Sequence, residues 1–396
     1  MTKKNVRDHN FHWLAFLAII CLFSYCQPEE KTLAPSISVQ ITDSIFISHA
    51  YQLKFMDLSP EDGHLLLNDG YNKTLLITDQ KGHIKQEIYY GSEDDGQPGP
   101  VLAAAGFLPD GRIAIVSSRG VFMYDGTGAI TQFIPRPTRF PELMNKDLFG
   151  FYVDSVLHIA YTCEPFHGLS ELGPELNAIL GDYTSYLEKF RAISVLSTES
   201  NSLSFAIPFE NNSYFKQEDD EKPPVMTPFF ARADSLLYTI ISPDPLVHVY
   251  NMRDSFRRVD HFPIQADHWG TLPVSGVLTE QILKTVAVYS LVVDKDRLLI
   301  SYGGAISDQT YTQLSKEEKL SDQAIAMEHV QNYLCIYENG KKLSSDVLLP
   351  SRITTILCQI GENTYLAKPG GKGMVEYPDK EVFYVVELNR DYAVID

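Results

Sequence analysis

Cysteine is scarce in this 396-residue chain: there are five, none in a CxxC spacing. That count excludes a disulfide framework. Tryptophan occurs twice, and 33 Lys+Arg are set against 51 Asp+Glu. A net charge of −18 leaves no basic footprint for nucleic acid or an anionic bilayer. The apolar stretch 11–25 is too short to span a bilayer comfortably as a helix. No GxSxG, HExxH, P-loop or helix-opening GxGxxG occurs, and no histidine pair has metal-ligand spacing on one element. No Gly/Ser linker divides the chain, so it reads as one closed domain.

What is abundant is the tight polar turn between apolar runs. One set comprises Ser59-Pro60-Glu61-Asp62-Gly63, Pro109-Asp110-Gly111, Val153-Asp154-Ser155, Arg232-Ala233-Asp234-Ser235, Asp294-Lys295-Asp296 and Gly361-Glu362-Asn363. An offset set comprises Asp79-Gln80-Lys81-Gly82, Asp125-Gly126-Thr127-Gly128, Glu199-Ser200-Asn201, Asn251-Met252-Arg253-Asp254, Glu338-Asn339-Gly340 and Asn389-Arg390-Asp391. Two interleaved sets of six predict an all-β, six-bladed β-propeller with four-stranded antiparallel blades. The blades fall at about 50–92, 101–135, 148–209, 226–264, 285–350 and 352–396. Residues 37–48 alternate as a strand and are expected to close the ring from the last blade.

The N-terminus reads as an export signal. Lys3, Lys4 and Arg7 precede the apolar stretch, and Cys26 closes it before Gln27-Pro28-Glu29-Glu30. An apolar run ending in a cysteine resembles a bacterial lipoprotein signal. Residues 1–25 are then a signal peptide, Cys26 the lipidated residue and 26–36 a tether. Tyr25 departs from the small residue such signals favour before the cysteine, and Ser24 fits better; Cys21 suits cleavage less well. Loss of the leader would take the net charge to −20, since three basic and one acidic residue leave. Cys335 and Cys358 sit in strand-like runs and read as buried small hydrophobes.

With strands A to D counted outward from the channel, A–B and C–D connections are short. The long pieces are D–A (91–100, 135–146, 208–227, 263–284) or B–C (162–190, 303–332), and both classes emerge on one face. The two B–C insertions have helical spacing; the second is expected to begin at a capping pattern, Ser315-Lys316-Glu317-Glu318. Their plain reading is packing over the blade tops. Binding usually resides on such loops. Trp269, the only tryptophan beyond the leader, lies with Asp267 and His268 in one of them, suited to stacking and hydrogen bonding or to plugging a gap between blades. Arg136 and Arg139 could hold an anion bidentately or pair with acidic residues 93–95. His167 is the remaining candidate at that mouth. Gly370-Gly371-Lys372-Gly373 lacks a following helix and reads as a turn. His158 and His248 lie in strands and read as structural.

Blade two, with Phe107-Leu108-Pro109-Asp110-Gly111-Arg112 and Tyr124-Asp125-Gly126-Thr127-Gly128, resembles NHL-like and TolB-like six-bladed propellers. With the lipoprotein-like start, the whole resembles the uncharacterised six-bladed propeller lipoproteins of Bacteroides-type bacteria. The resemblance implies a fold and an address at the outer membrane, surface-exposed or not, with the periplasm or secretion as alternatives. It carries over no catalytic residues. The expected function is non-catalytic binding of a small-molecule, glycan or protein ligand by a monomer that meets the membrane only through its lipid. The alternative is a channel-mouth enzyme, such as a metal-dependent lactonase or a glycan-active hydrolase or lyase. No cofactor is expected, and a divalent metal assembled in the channel from several blades stays open.

Overall fold

A computed structural model describes residues 36–49, 52–92, 94, 96–135, 147–162, 191–211, 213, 227–242, 244–269, 287–318, 320–321, 325, 329–370 and 380–391. Six antiparallel sheets follow one another around a ring. Blade one is β2 (Lys54–Leu58), β3 (Leu65–Asp69), β4 (Thr74–Thr78) and β5 (Ile84–Tyr89). Blade two is β6 (Leu102–Phe107), β7 (Ile113–Ser117), β8 (Gly120–Tyr124) and β9 (Ile130–Pro135). Blade three is β10 (Leu148–Val153), β11 (Val156–Thr162), β12 (Ile193–Ser197) and β13 (Leu203–Ala206). Blade four is β14 (Thr227–Ala233), β15 (Leu236–Ser242), β16 (Leu246–Asn251) and β17 (Arg257–Pro263). In blade five, β18 (Ala287–Asp294), β19 (Arg297–Gly303) and β20 (Asn332–Glu338) are flanked by an outer strand broken into β21 (Lys341–Lys342) and β22 (Val347–Leu348). Blade six is β23 (Ile353–Gly361), β24 (Thr364–Pro369), β25 (Glu381–Asp391) and, outermost, the first strand of the chain, β1 (Ser36–Ile47). Ser36 lies opposite Asp391 and Ile47 opposite Glu381.

The second and third strands of blades one to five are apolar almost throughout because both of their faces are buried, whereas outer strands such as β5 and β17 are polar and largely exposed. In β3, Leu65 and Leu67 point into the seam with blade six, while Leu66 points into the seam with blade two. In β20, Tyr333, Cys335 and Tyr337 face blade four, and Leu334 and Ile336 face blade six. Among the described residues there is one such apolar cluster at each of the six seams. Near the channel the blades approach closely. A Cβ on Gly106 would lie 2.6 Å from the Leu148 carbonyl oxygen, and one on Gly150 would lie 2.7 Å from Pro109 Cδ. Only glycine permits these approaches without backbone movement.

One turn and one helix start differ from expectation. The first five of the offset set are C–D turns, but Asn389-Arg390-Asp391 lies within β25, paired to Ser36–Ser38 at the other end of the chain. The blade-five insertion starts earlier than expected: α1 (Asp308–Thr312) is capped by Ser307, whose side chain accepts from Thr310 N, and a π-helical turn follows over Gln313–Glu317. Ser315 caps nothing; its Oγ donates to the Tyr311 carbonyl at 2.7 Å. The blade-three insertion lies outside the described residues.

Candidate functional site

The D–A connection of blade four carries Asp267, His268 and Trp269 across the seam onto blade five, on the loop-rich face. Its position is set by Asp346, which lies in the break between β21 and β22 with no exposed side-chain surface. Asp346 Oδ2 accepts from the Asp267 backbone N–H and from the Tyr302 hydroxyl. Asp267 returns the contact, Oδ2 accepting from Asp346 N at 2.8 Å. Lys342 Nζ lies 2.6 Å from Asp267 Oδ1 and 3.0 Å from Asp346 Oδ1. Hydrogen bonds from Lys342 and the Asp346 N–H hold the Asp267 carboxyl below its ordinary range. Burial works against the Lys342 ammonium, but its two carboxylate partners outweigh that and raise its pKa. Burial, then the Asp346 carboxylate, pushes both the Tyr302 phenol and the Cys335 thiol well up, so neither is a nucleophile at neutral pH.

With Asp267 clamped, its neighbours form an aromatic surface. The exposed His268 ring stacks on Tyr333 at 4.0 Å between centroids and 19° between planes. Tyr333 stacks on Tyr302 at 5.6 Å, and half-buried Trp269 packs against Tyr302 at 5.8 Å. The Tyr333 hydroxyl donates to Gln331 Oε1 at 2.6 Å, at the foot of the blade-five insertion. Of the six candidate ligand residues, the consecutive Asp267, His268 and Trp269 fall among the described residues. Arg136, Arg139 and His167 lie outside the described residues, as do residues 371–373 of the glycine-rich turn and Cys163.

A second group lines the inner strands. Asp57, in β2, is surrounded by protein yet keeps some accessible surface. Its Oδ2 accepts from Phe107 N at 2.7 Å and Oδ1 from Leu58 N at 2.8 Å, pinning blade one to blade two. Arg232 of blade four, diametrically opposite in the ring, donates to the Gly150 carbonyl at 2.7 Å and acts on Asp57 electrostatically. Burial pushes Asp57 up to about 6, against the Phe107 and Leu58 N–H groups and Arg232, with Asp147 adding to the rise. Cys358 feels the same carboxylate; it is half-buried, not buried as expected, and burial raises its thiol pKa. Among the described residues no three His, Cys, Asp or Glu side chains are grouped to hold a metal ion.

Asp57 supplies a pH-dependent prediction. Its folded pKa lies above the ordinary 3.8. Its contribution is therefore fully present below about pH 4 and lost as pH rises through about 6, a swing of roughly 3 kcal/mol. In Asp57→Asn that slope disappears. The stability difference, wild type minus variant, should fall by up to about that amount between pH 4 and 7. Denaturant titrations at several pH values measure it; a constant difference would show that Asp57 titrates as in the unfolded chain.

His248 is buried in β16, and burial, with Arg258 and His261 nearby, lowers it to about 4. His158 stacks on Phe151 within blade three. Sequence reasoning missed Asp57, Arg232, Lys342 and Asp346, because each sits in an ordinary strand or turn pattern with no motif around it.

The class these observations define is a six-bladed β-propeller with one loop-rich face. No family model matches the chain, and no match was found among curated proteins. Among solved structures it is similar to a DUF4221-family member from Bacteroides vulgatus, at 8% identity and TM-score 0.60, covering 90% of this chain and 99% of that one. It is also similar to a gluconolactonase from Xanthomonas campestris, at 13% identity and TM-score 0.47, covering 90% and 95%. At these identities the first likeness shows the fold alone, and the second carries no argument about chemistry.

Proposed function

We propose that the protein is a cell-envelope lipoprotein, anchored through Cys26, whose propeller binds a ligand without chemistry at the loop-rich face. The observation that supports the binding site is the clamped loop. Asp267 spends its carboxylate on Lys342 and Asp346, which leaves His268 presented on Tyr333 with its ring exposed. A pre-ordered aromatic surface loses little entropy on binding and suits a planar or sugar-like group. The leader and Cys26 support the address.

A thermal-shift panel of glycans, peptides and metals tests the binding, since a ligand that prefers the native state raises the melting temperature. For any hit, His268→Ala should weaken binding by about tenfold, about 1.4 kcal/mol, with little change in stability. Trp269→Ala should weaken it too, but at a cost in stability, because Trp269 packs on Tyr302 within the seam. A panel without a hit, or a hit indifferent to His268→Ala, removes the site. Cys26→Ala should release the protein from membranes; an unmodified mature N-terminus beginning elsewhere, read by mass spectrometry, removes the anchor.

Asp57 favours a second reading, a channel enzyme. A channel carboxylate raised to about 6 in the field of a guanidinium is suited to general acid–base work. Lactone or glycan turnover abolished by Asp57→Asn would decide for it.

A further inference from the structure

We infer that the propeller is held with its short-turn face toward the lipid surface and its loop-rich face toward the aqueous side. The inference rests on the Cys26 anchor proposed above, and its geometry comes from β1. The third strand of a blade runs from the loop-rich side to the short-turn side. In blade six that strand is β25, and its last residue, Asp391, lies opposite Ser36, where β1 begins. The chain therefore reaches β1 from the short-turn side. It leaves at Ile47, opposite Glu381, toward the loop-rich side.

The length of chain between Cys26 and Ser36 limits what the anchor permits. Those ten positions span about 35 Å fully extended. The innermost strand of the same blade, β23, has nine residues, about 30 Å at the usual rise. The tether at full extension thus exceeds the height of the blade by only about 5 Å. Accumulated strand twist inclines β1 away from the axis, so the attachment lies at the rim and the ring can tilt about it. Inverting the ring would require the tether to climb the rim close to full extension, at a cost in chain entropy. Acidic residues stand in all six A–B turns: Asp62, Asp110, Asp154, Asp234, Asp296 and Glu362. Asp110 is paired with Arg112 at 2.7 Å and Glu362 with Lys295 at 3.3 Å; the remaining acidic residues repel anionic headgroups within a Debye length of about 8 Å at physiological salt, so the face stands off the surface instead of adsorbing. The clamped His268–Trp269 surface then faces ligands arriving from the aqueous phase.

The test uses the two ends of β23. Ser351 and Glu362 flank it on opposite faces, and both are exposed. A click-reactive residue carrying a donor fluorophore replaces one or the other, and energy transfer to an acceptor lipid is measured in two arms. In the first, the full chain is expressed with its leader and recovered in native membranes. In the second, the chain from residue 32 carries an N-terminal hexahistidine, which keeps about ten positions between the lipid and Ser36, and is bound to vesicles of neutral and nickel-chelating lipid. Transfer from position 362 should exceed that from 351 by at least about twofold in both arms, given about 30 Å between them. Adding anionic lipid to the vesicles should lower transfer from 362, and salt should restore it. Equal or reversed transfer in the second arm overturns the geometry, whatever the first arm gives. Absence from membranes in the first arm overturns the lipid anchor, and this orientation with it, even if the second arm is ordered as expected.

Discussion

A chain beginning at residue 50 should fail to give a cooperative unfolding transition, whereas a chain beginning at residue 33 should unfold as one unit. The difference between them is β1. It pairs with β25 along its whole length, with one register shift between Ile41 and Asp43. It places Ile45 and Ile47 in the seam between blades six and one, where they are 3% and 0% exposed. Ile37, Val39 and Ile41 pack against the seam between blades five and six. Two buried isoleucines alone are worth about 3–6 kcal/mol, a large part of the roughly 5–15 kcal/mol that holds a domain together. Loss of β1 also uncovers the edge of β25, a template for aggregation. The clip beside the strand goes too: His49 Nε2 contacts buried Asp69 at 2.7 Å, tying the closing segment to blade one. Melting and denaturant curves decide the matter; coincident curves for the two chains would mean that the ring holds without β1.

The turns made this architecture legible. A two-residue reversal needs positive φ, and the residues that adopt it, such as Asp154 and Ser155 at 47° and 68°, were visible as Asp-Ser between apolar runs. The same signal misled at Asn389-Arg390-Asp391. Its composition is that of a hairpin turn, but the strand that follows in space is the first of the chain, and local composition carries no information about so distant a partner. The insertion start was misread for a related reason: Ser315 has the acidic residue of a capping box three places on, while the real cap, Ser307, is followed there by Thr310. Runs such as Leu65-Leu66-Leu67 revealed burial on both faces but not which seam each leucine fills. At the candidate site, Trp269 was conspicuous by rarity. Asp346 was not, because its importance comes from a break in an outer strand that only the pairing of β21 and β22 with β20 exposes.

That break leads to the second large effect. Asp346→Ala should cost about 3–5 kcal/mol, the range for removing one partner of a buried charged pair. The substitution strands three groups at once: the Tyr302 hydroxyl, the Asp267 backbone N–H and, in part, the Lys342 ammonium, whose side chain is only 13% exposed. Lys342→Ala should cost less, because Asp346 keeps Tyr302 and the Asp267 N–H, and Asp267 is 46% exposed and can turn to water. If the cluster acts as one network, Asp346→Ala and Lys342→Ala combined should cost less than the sum of the two, with a coupling of about 0.5–3 kcal/mol. Denaturant unfolding of the four proteins measures this. Amide exchange over residues 264–269 should accelerate in Asp346→Ala beyond what the global loss explains, since the loop loses its attachment to blade five. A cost below about 1 kcal/mol would place Asp346 among solvent-screened surface pairs, and His268 and Trp269 would then owe their positions to ring packing alone.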